Sequence, residues 1–291
     1  MQLLCAGEAF EDLIFHGLER LPELGEEVRT DRFTSTIGGG AVITAVQAAR
    51  LGMPTHLISA LGDNAMARLK KEKVAVTNLR KSHEPHAITA ALSTTDDRAF
   101  VTFNGVNTKL EGRLAKSLAS LLRRSAGEAS ARRRTHVHLC FYPHDCRYWA
   151  DLLAKFRKQG ITSSWDFGWN EPLTNDRGLA DLINALDFVF INAAEALLYT
   201  GSATLDESIP RWREQQAITI IKLGQQGAVW LAPDRDLHIK APRVKVVDTT
   251  GAGDAFNAGF LVAWMRGETP AECLKLANKT GAESTKRAGG I

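Results

Sequence analysis

Apolar positions along the chain follow two alternating rhythms. Short aliphatic or β-branched runs predict strands over 3–9, 55–61, 136–142, 161–167, 187–191, 217–222 and 228–232. Between them, apolar residues recurring every three or four positions predict helices over 41–51, 64–73, 145–159, 193–200, 204–215, 254–266 and 270–287. Gly52 and Gly160 stand where helices should stop. Thr204 with Glu207, and Thr269 with Glu272, read as capping boxes, and Pro270 takes the favoured first helical position. Such alternation builds a parallel sheet with helices on both faces. Two segments break it. Residues 12–36 hold Asp12-Leu13-Ile14-Phe15 and then an extended run over 28–36, and residues 87–104 read as a hairpin turning at Asp96-Asp97. These strands predict a small second sheet over the mouth of the main one, a lid able to exclude water. No repeat or low-complexity linker divides residues 1–291, which read as one domain.

Composition narrows the function only by exclusion. A hydrophobic share of 44% and a charged share of 24% are those of an ordinary globular protein. A net charge of +3 argues against a dedicated nucleic-acid binder but not against an anionic substrate. The basic runs Arg123-Arg124 and Arg132-Arg133-Arg134 read as a solvated loop and helix end. No apolar run has membrane-spanning length, and Met1 leads straight into Leu3-Leu4-Cys5-Ala6, so a cytoplasmic protein is expected. Cysteines 5, 140, 146 and 273 are scattered and read as free thiols. His136, His138 and Cys140 would share one face of a strand, but the spacing that follows, with His144 and Cys146, matches no common zinc pattern.

The chemistry concentrates in Val247-Asp248-Thr249-Thr250-Gly251-Ala252-Gly253-Asp254-Ala255-Phe256, read as a β-branched strand (Val244, Val246, Val247), a small-residue turn and a helix start. Unpaired N–H groups and the helix dipole make such a turn an anion site, and glycines 251 and 253 let a bulky anion approach. A carboxylate repels phosphate, so Asp254 makes sense as the base that takes a proton from a hydroxyl while the amides hold the group under attack. This string resembles, without a gap, the C-terminal signature of the ribokinase-like (PfkB-type) carbohydrate kinases.

The resemblance extends along nearly the whole chain. Ile37-Gly38-Gly39-Gly40-Ala41 resembles the N-terminal signature, whose glycine pair contacts the sugar, and Asp12, after Gly7-Glu8-Ala9-Phe10-Glu11, matches a carboxylate that grips acceptor hydroxyls. Asn192-Ala193-Ala194-Glu195 resembles the Asn-x-x-Glu motif near the magnesium, which Glu195 would hold through water. Lys222-Leu223-Gly224-Gln225-Gln226-Gly227 is similar to the loop beside the nucleotide, and Asn278 matches a position near the adenine. Asp248 and Thr250 match positions that in some members help bind a monovalent cation; potassium activation stays open. Two departures stand out. Ile43 replaces a sugar-binding Asn of many members, so the acceptor makes fewer polar contacts there or is a different one. The segment after Leu61-Gly62-Asp63-Asn64 is trimmed.

The resemblance implies an α/β three-layer sandwich: a mostly parallel central sheet, helices on both faces and a small β-sheet lid that is often a dimer surface. It implies ATP and Mg²⁺, and γ-phosphoryl transfer to a hydroxymethyl group of a sugar. Asp254 would be the base, with Gly251, Ala252 and Gly253 holding the transferring group. Asp12, Gly38, Gly39, Gly40 and Asp166 would hold the acceptor; Lys222, Gly224, Gly227 and Asn278 would hold the nucleotide. A nucleoside acceptor is the alternative, suggested by Ile43 and by Trp165 and Trp169 around Asp166-Phe167-Gly168. A weakly catalytic sugar- or nucleotide-binding regulator is a third reading, against which the intact Asp254 motif argues.

Overall fold

A computed structural model describes residues 1–94, 98–125, 135–287 and 289–291. The expected turn at Asp96-Asp97 and the arginines at 132–134 lie outside them, as do the side chains of Arg123 and Arg124. Strand β1 (Gln2–Gly7) opens the chain, and the chain then crosses to a second sheet through β2 (Phe10–His16) and β3 (Arg32–Gly38). It returns through α1 (Gly40–Arg50), β4 (Thr55–Ser59), α2 (Asp63–Lys71) and β5 (Ala75–Asn78). β6 (Ile88–Ser93) and β7 (Arg98–Phe103) complete the second sheet, and α3 (Leu110–Ser125) leads back. The rest alternates: β8 (Thr135–Cys140), α4 (Cys146–Lys158), β9 (Thr162–Asp166), α5 (Leu179–Ala185), β10 (Phe188–Asn192), α6 (Ala193–Thr200), α7 (Leu205–Arg213) and β11 (Ile218–Lys222). An edge hairpin, β12 (Ala228–Ala232) and β13 (Arg235–Ile239), precedes α8 (Ala252–Met265) and α9 (Pro270–Ser284).

Among the described residues the large sheet has nine strands in the order β13-β12-β11-β10-β9-β8-β1-β4-β5, parallel except for β12 and β13. Its faces bury separate cores. Leu3 and Cys5 of β1 point into one layer with α1, α8 and α9, and Leu4 and Ala6 point into the other with α3 and α4. The four-stranded sheet, β3-β2-β6-β7, matches the expected second sheet. β1 stops at Gly7 rather than running to residue 9, because the chain leaves one sheet for the other at Glu8-Ala9.

Some expectations fail for physical reasons. Residues 244–247 form no strand: the large sheet ends at β13, and the N–H groups of Val247 and Asp248 both donate to the carbonyl of Thr285 instead. The extended run expected from Val28 starts only at Arg32. Helix α3 was legible in Leu110, Leu114 and Leu118, four apart and all buried, but its basic surface obscured it. Thr204 and Thr269 cap their helices as expected, accepting from the N–H groups of Glu207 and Glu272, but neither glutamate reciprocates; Glu207 accepts from Ala203 and Glu272 pairs with Lys275. The complete capping box is at Asn192 and Glu195.

Helix α8 is held where it is by close contact with α9. A Cβ on Gly259 would lie 2.6 Å from Thr280 Oγ1 and 2.8 Å from the carbonyl oxygen of Leu276. Gly259→Ala would gain up to ~1 kcal/mol of helix propensity. Overpacking against backbone costs about 1–3 kcal/mol. The clash should win, and urea denaturation is expected to show a net loss of stability of about 1–2 kcal/mol.

Candidate active site

Strands β1, β8, β9, β10 and β11 are parallel and end on one edge of the large sheet, where α8 begins. Gly251 caps α8 in the left-handed region, at φ 71°, and a Cβ there would meet Ile43 Cδ1 at 2.8 Å. The N–H groups of Gly251, Gly253 and Asp254 have no acceptor among the described residues, whereas that of Ala252 donates to the carbonyl of Thr249. The exposed donors are therefore 251, 253 and 254, not 251–253. The Lys222 ammonium lies beside them, 3.3 Å from where a Cβ on Gly253 would stand.

Asp254 sits in the first turn of α8, and its carboxylate accepts no hydrogen bond from the described residues. Gly40 makes room for it: a Cβ there would be 2.9 Å from Asp254 Oδ1. Lys222 pairs with a different carboxylate, Asp166 Oδ2, at 2.6 Å, and Asn257 Nδ2 donates to the same oxygen at 2.7 Å. Burial works against the charge on Asp166, but Lys222 and Asn257 hold its pKa below the ordinary carboxylate value. Burial would lower Lys222, but Asp166 and Glu195 keep it above the usual ammonium value. Burial, reinforced by the Asp166 charge and opposed by Lys222, pushes Asp254 up to about 7. A carboxylate titrating there is well placed to exchange a proton near neutral pH.

Two cavities meet along residues 246–249. One, about 840 Å³, is lined by Lys222, Gly224, Gly227, Gly253, Phe256 and Asn278 among others. The other, about 890 Å³, lies between the 246–250 segment and the small sheet, with Asp12, Ile14, Arg32, Thr34, Thr89 and Phe100 on its walls. Asp12 is pushed up to about 6 by burial, and its Oδ2 lies 2.0 Å from where a Cβ on Gly38 would stand, so any larger residue there would displace the carboxylate. Gly39 is at φ 99°, and a Cβ there would lie 2.3 Å from the Glu8 carbonyl oxygen.

The structure thus gathers Asp254, Gly38, Gly39, Gly40 and Asp12 on one side of the anion loop, and Lys222, Gly224, Gly227 and Asn278 on the other. Asn278 donates to the carbonyl of Ile239 at 2.8 Å. Asp166 is not open to an acceptor: its Oδ2 is held by Lys222 and Asn257, and Gly168 donates to Oδ1. Trp165 is wholly buried against Trp149 and Phe167, and Trp169 lies outside the second cavity, so neither faces an acceptor. Ile43 is buried against Gly251 and Gly290 rather than lining the cavity. Glu195 is buried with both carboxylate oxygens on Asn192, and burial raises it. Among the described residues no three His, Cys, Asp or Glu side chains converge to hold a metal. Asp248 Oδ1 accepts from the Thr250 N–H and hydroxyl, and Oδ2 from Gly289 N–H, which ties the loop to residues 289–291. Sequence reading missed Asn257, although its place three residues after Asp254 puts both on one helix face.

Comparison with known proteins identifies the family. Residues 2–291 match the pfkB family carbohydrate kinase. The chain is 24% identical to a ribokinase of Arabidopsis thaliana over 94% of its length and 73% of that protein. It is 28% identical to an ATP-dependent ribose-1-phosphate kinase of Halopiger xanaduensis over 99% and 93%. A nucleoside kinase of Methanocaldococcus jannaschii is 27% identical over 94% and 86%. A crystal structure of a nucleoside kinase from that organism, described as an archaeal member of the ribokinase family, superposes with a TM-score of 0.75 at 22% identity, covering 99% of this chain and 93% of the other. The chain belongs to the pfkB family of carbohydrate kinases and has the ribokinase fold.

Proposed function

We propose that this kinase transfers the γ-phosphoryl group of ATP to a hydroxymethyl group of a sugar, with Asp254 as the general base. One observation carries the reading: a carboxylate with no hydrogen-bond partner among the described residues stands in the first turn of α8 next to open N–H donors, and Gly253 of that turn lines the cavity that holds Lys222. ATP fits the cavity that holds Lys222, Gly224, Gly227 and Asn278, and the sugar fits the one that holds Asp12. The acceptor hydroxyl approaches Asp254 from the Asp12 side and gives up its proton as its oxygen attacks phosphorus in line. The N–H groups of Gly251 and Gly253, with Lys222, hold the transferring group. Gly38, Gly39 and Gly40 allow the acceptor close to the backbone, and Asp12 accepts from its hydroxyls.

Bound Mg²⁺ would neutralise charge on the phosphates. Glu195 and Asn192 fit that ion only through water, because Glu195 already bonds Asn192 and no cage of side chains forms. A monovalent cation at Asp248 and Thr250 would share the Asp248 oxygens with the bonds from Thr250 and Gly289. The small sheet acts as the lid of a single-domain kinase. Its outer face bears Phe33, Val101 and Phe103, each more than half exposed and in adjacent cross-strand rows, and a second copy of the chain would cover it. No helix among the described residues is long and apolar enough to cross a membrane. Four buried free thiols and the use of ATP fit the cytoplasm.

A nucleoside acceptor is the second reading. Phe100, on a wall of the acceptor cavity and 56% exposed, offers a face on which a base could stack. ADP release measured with a panel of sugars, sugar phosphates and nucleosides separates the readings; no turnover with any would favour a binding protein.

Asp254→Asn is expected to lower kcat by ~10²–10⁴-fold with the KM for ATP little changed. Near-normal turnover would remove Asp254 from the mechanism. Asp254 works only when deprotonated, and its acidity lies at about 7, so kcat should fall roughly tenfold per unit as pH drops below 7. A profile flat to pH 5 would contradict this. Gly40→Ala puts a methyl 2.9 Å from the Asp254 carboxylate and should cut kcat by ~10-fold or more while far-ultraviolet circular dichroism is unchanged.

A further inference from the structure

The segment from 241 to 246, whose valines form no strand, is instead a wall of the cavity of about 840 Å³: Ala241, Pro242, Arg243, Val244 and Val246 all line it. The segment is fixed at both ends. At its start it passes hard against the turn after β11, where a Cβ on Gly227 would lie 2.0 Å from the Ile239 carbonyl oxygen and 2.8 Å from the Ala241 nitrogen. Asn278 Nδ2 donates to the same Ile239 carbonyl at 2.8 Å and ties this bend to α9. At its end the N–H groups of Val247 and Asp248 donate to Thr285, just past α9. Pro242 stiffens the backbone immediately before Arg243.

The charges on this cavity are few. Among the described residues that line it, Lys222 and Arg243 are the charged side chains, and there is no carboxylate. Lys222 is committed to Asp166 Oδ2 at 2.6 Å, and Glu195 and Asp254 also stand close enough to act on its charge. The carboxyl groups around that ammonium outnumber it, so it brings little net positive charge to a ligand. Arg243 is the opposite case. Its side chain makes no hydrogen bond or ion pair with any described residue, and it is exposed. It stands on a wall of Pro242, Val244 and Val246, which compete for none of its donors.

A nucleoside triphosphate carries several negative charges. The open N–H groups at the start of α8 serve the phosphoryl group nearest them, and the rest of the polyphosphate needs other positive partners. A guanidinium offers a planar fork of N–H donors that can bond two phosphate oxygens at once. We infer that Arg243 is a nucleotide-binding and specificity residue: the free cation of the cavity wall, it takes the polyphosphate by charge-assisted hydrogen bonds and so favours nucleotides with more than one phosphate. It holds the nucleotide before and during transfer alike, and does no chemistry. The inference rests on this cavity being the place of the nucleotide.

The test is titration calorimetry with the Mg²⁺ complex of a non-hydrolysable ATP analogue, which needs neither the acceptor nor Asp254. Arg243→Ala is expected to weaken binding ~10-fold, the worth of a partly exposed hydrogen bond to a charged group. Arg243→Gln should bind as weakly, whereas Arg243→Lys, which keeps the charge, should bind within ~3-fold of the unaltered protein. The deficit of Arg243→Ala should shrink as salt is raised. In steady-state assays KM for ATP should rise by a similar ~10-fold while kcat changes less than ~2-fold, as for a contact shared by ground and transition states. Binding by Arg243→Ala equal to that of the unaltered protein overturns the inference. So does a deficit that Arg243→Lys does not repair and salt does not reduce, the result expected if the guanidinium stacked on the base instead. Ala282→Trp, which fills the same cavity from α9, separates the two levels. If it leaves binding of the analogue intact, the nucleotide lies elsewhere, and the reading of the cavity falls together with the inference. If it abolishes binding while Arg243→Ala binds normally, only the role of Arg243 falls.

Discussion

Lys222 bonds Asp166 and leaves Asp254 alone, and the active site depends on that choice of partner. The pair joins the ends of β9 and β11, and Asn257 brings in α8 through the same carboxylate oxygen. A buried ion pair of this kind adds little net stability, because desolvating two charges offsets most of their attraction. Its value is geometric and electrostatic. It ties the Lys222 ammonium to Asp166, and it puts a negative charge beside Asp254 that adds to the effect of burial in raising that carboxyl.

The main chain supplies what the side chains do not. With Ala252 N–H committed to Thr249, the donors left at the start of α8 belong to Gly251, Gly253 and Asp254 itself. Helix dipole and ammonium then favour an anion there, while the carboxylate repels one. The two demands meet in one helical turn: Gly253 lines the cavity that holds Lys222, while the Asp254 carboxylate lies against Gly40. Gly40 and Gly38 serve the same end: each removes a Cβ that would displace a carboxylate, Asp254 in one case and Asp12 in the other.

Much of this was legible from residue types alone. The loop from Asp248 to Asp254 needs glycine at the left-handed cap and a carboxylate in the first helical turn, and both requirements are local. The alternation of strands and helices is equally local, since burial on one or two faces writes its period into the chain. Local patterns misled where pairing partners decide. Val244, Val246 and Val247 have strand composition but no neighbouring strand. Asp166 and Trp165 looked available to a substrate, yet one is bound to Lys222, 56 positions away, and the other is enclosed by aromatic rings.

The sequence by itself determined the order of most elements, the glycine turn and the carboxylate in the first turn of α8, because each is specified locally. Only the tertiary structure decided which carboxylate stays unpaired, which amide is already taken and that the hydroxyl of Ser164 lies within hydrogen-bond distance of both His136 and His138 in the core. Those facts turn on contacts between strands and helices distant in the chain, set by sheet register and by close approach at glycine, and no local pattern encodes them.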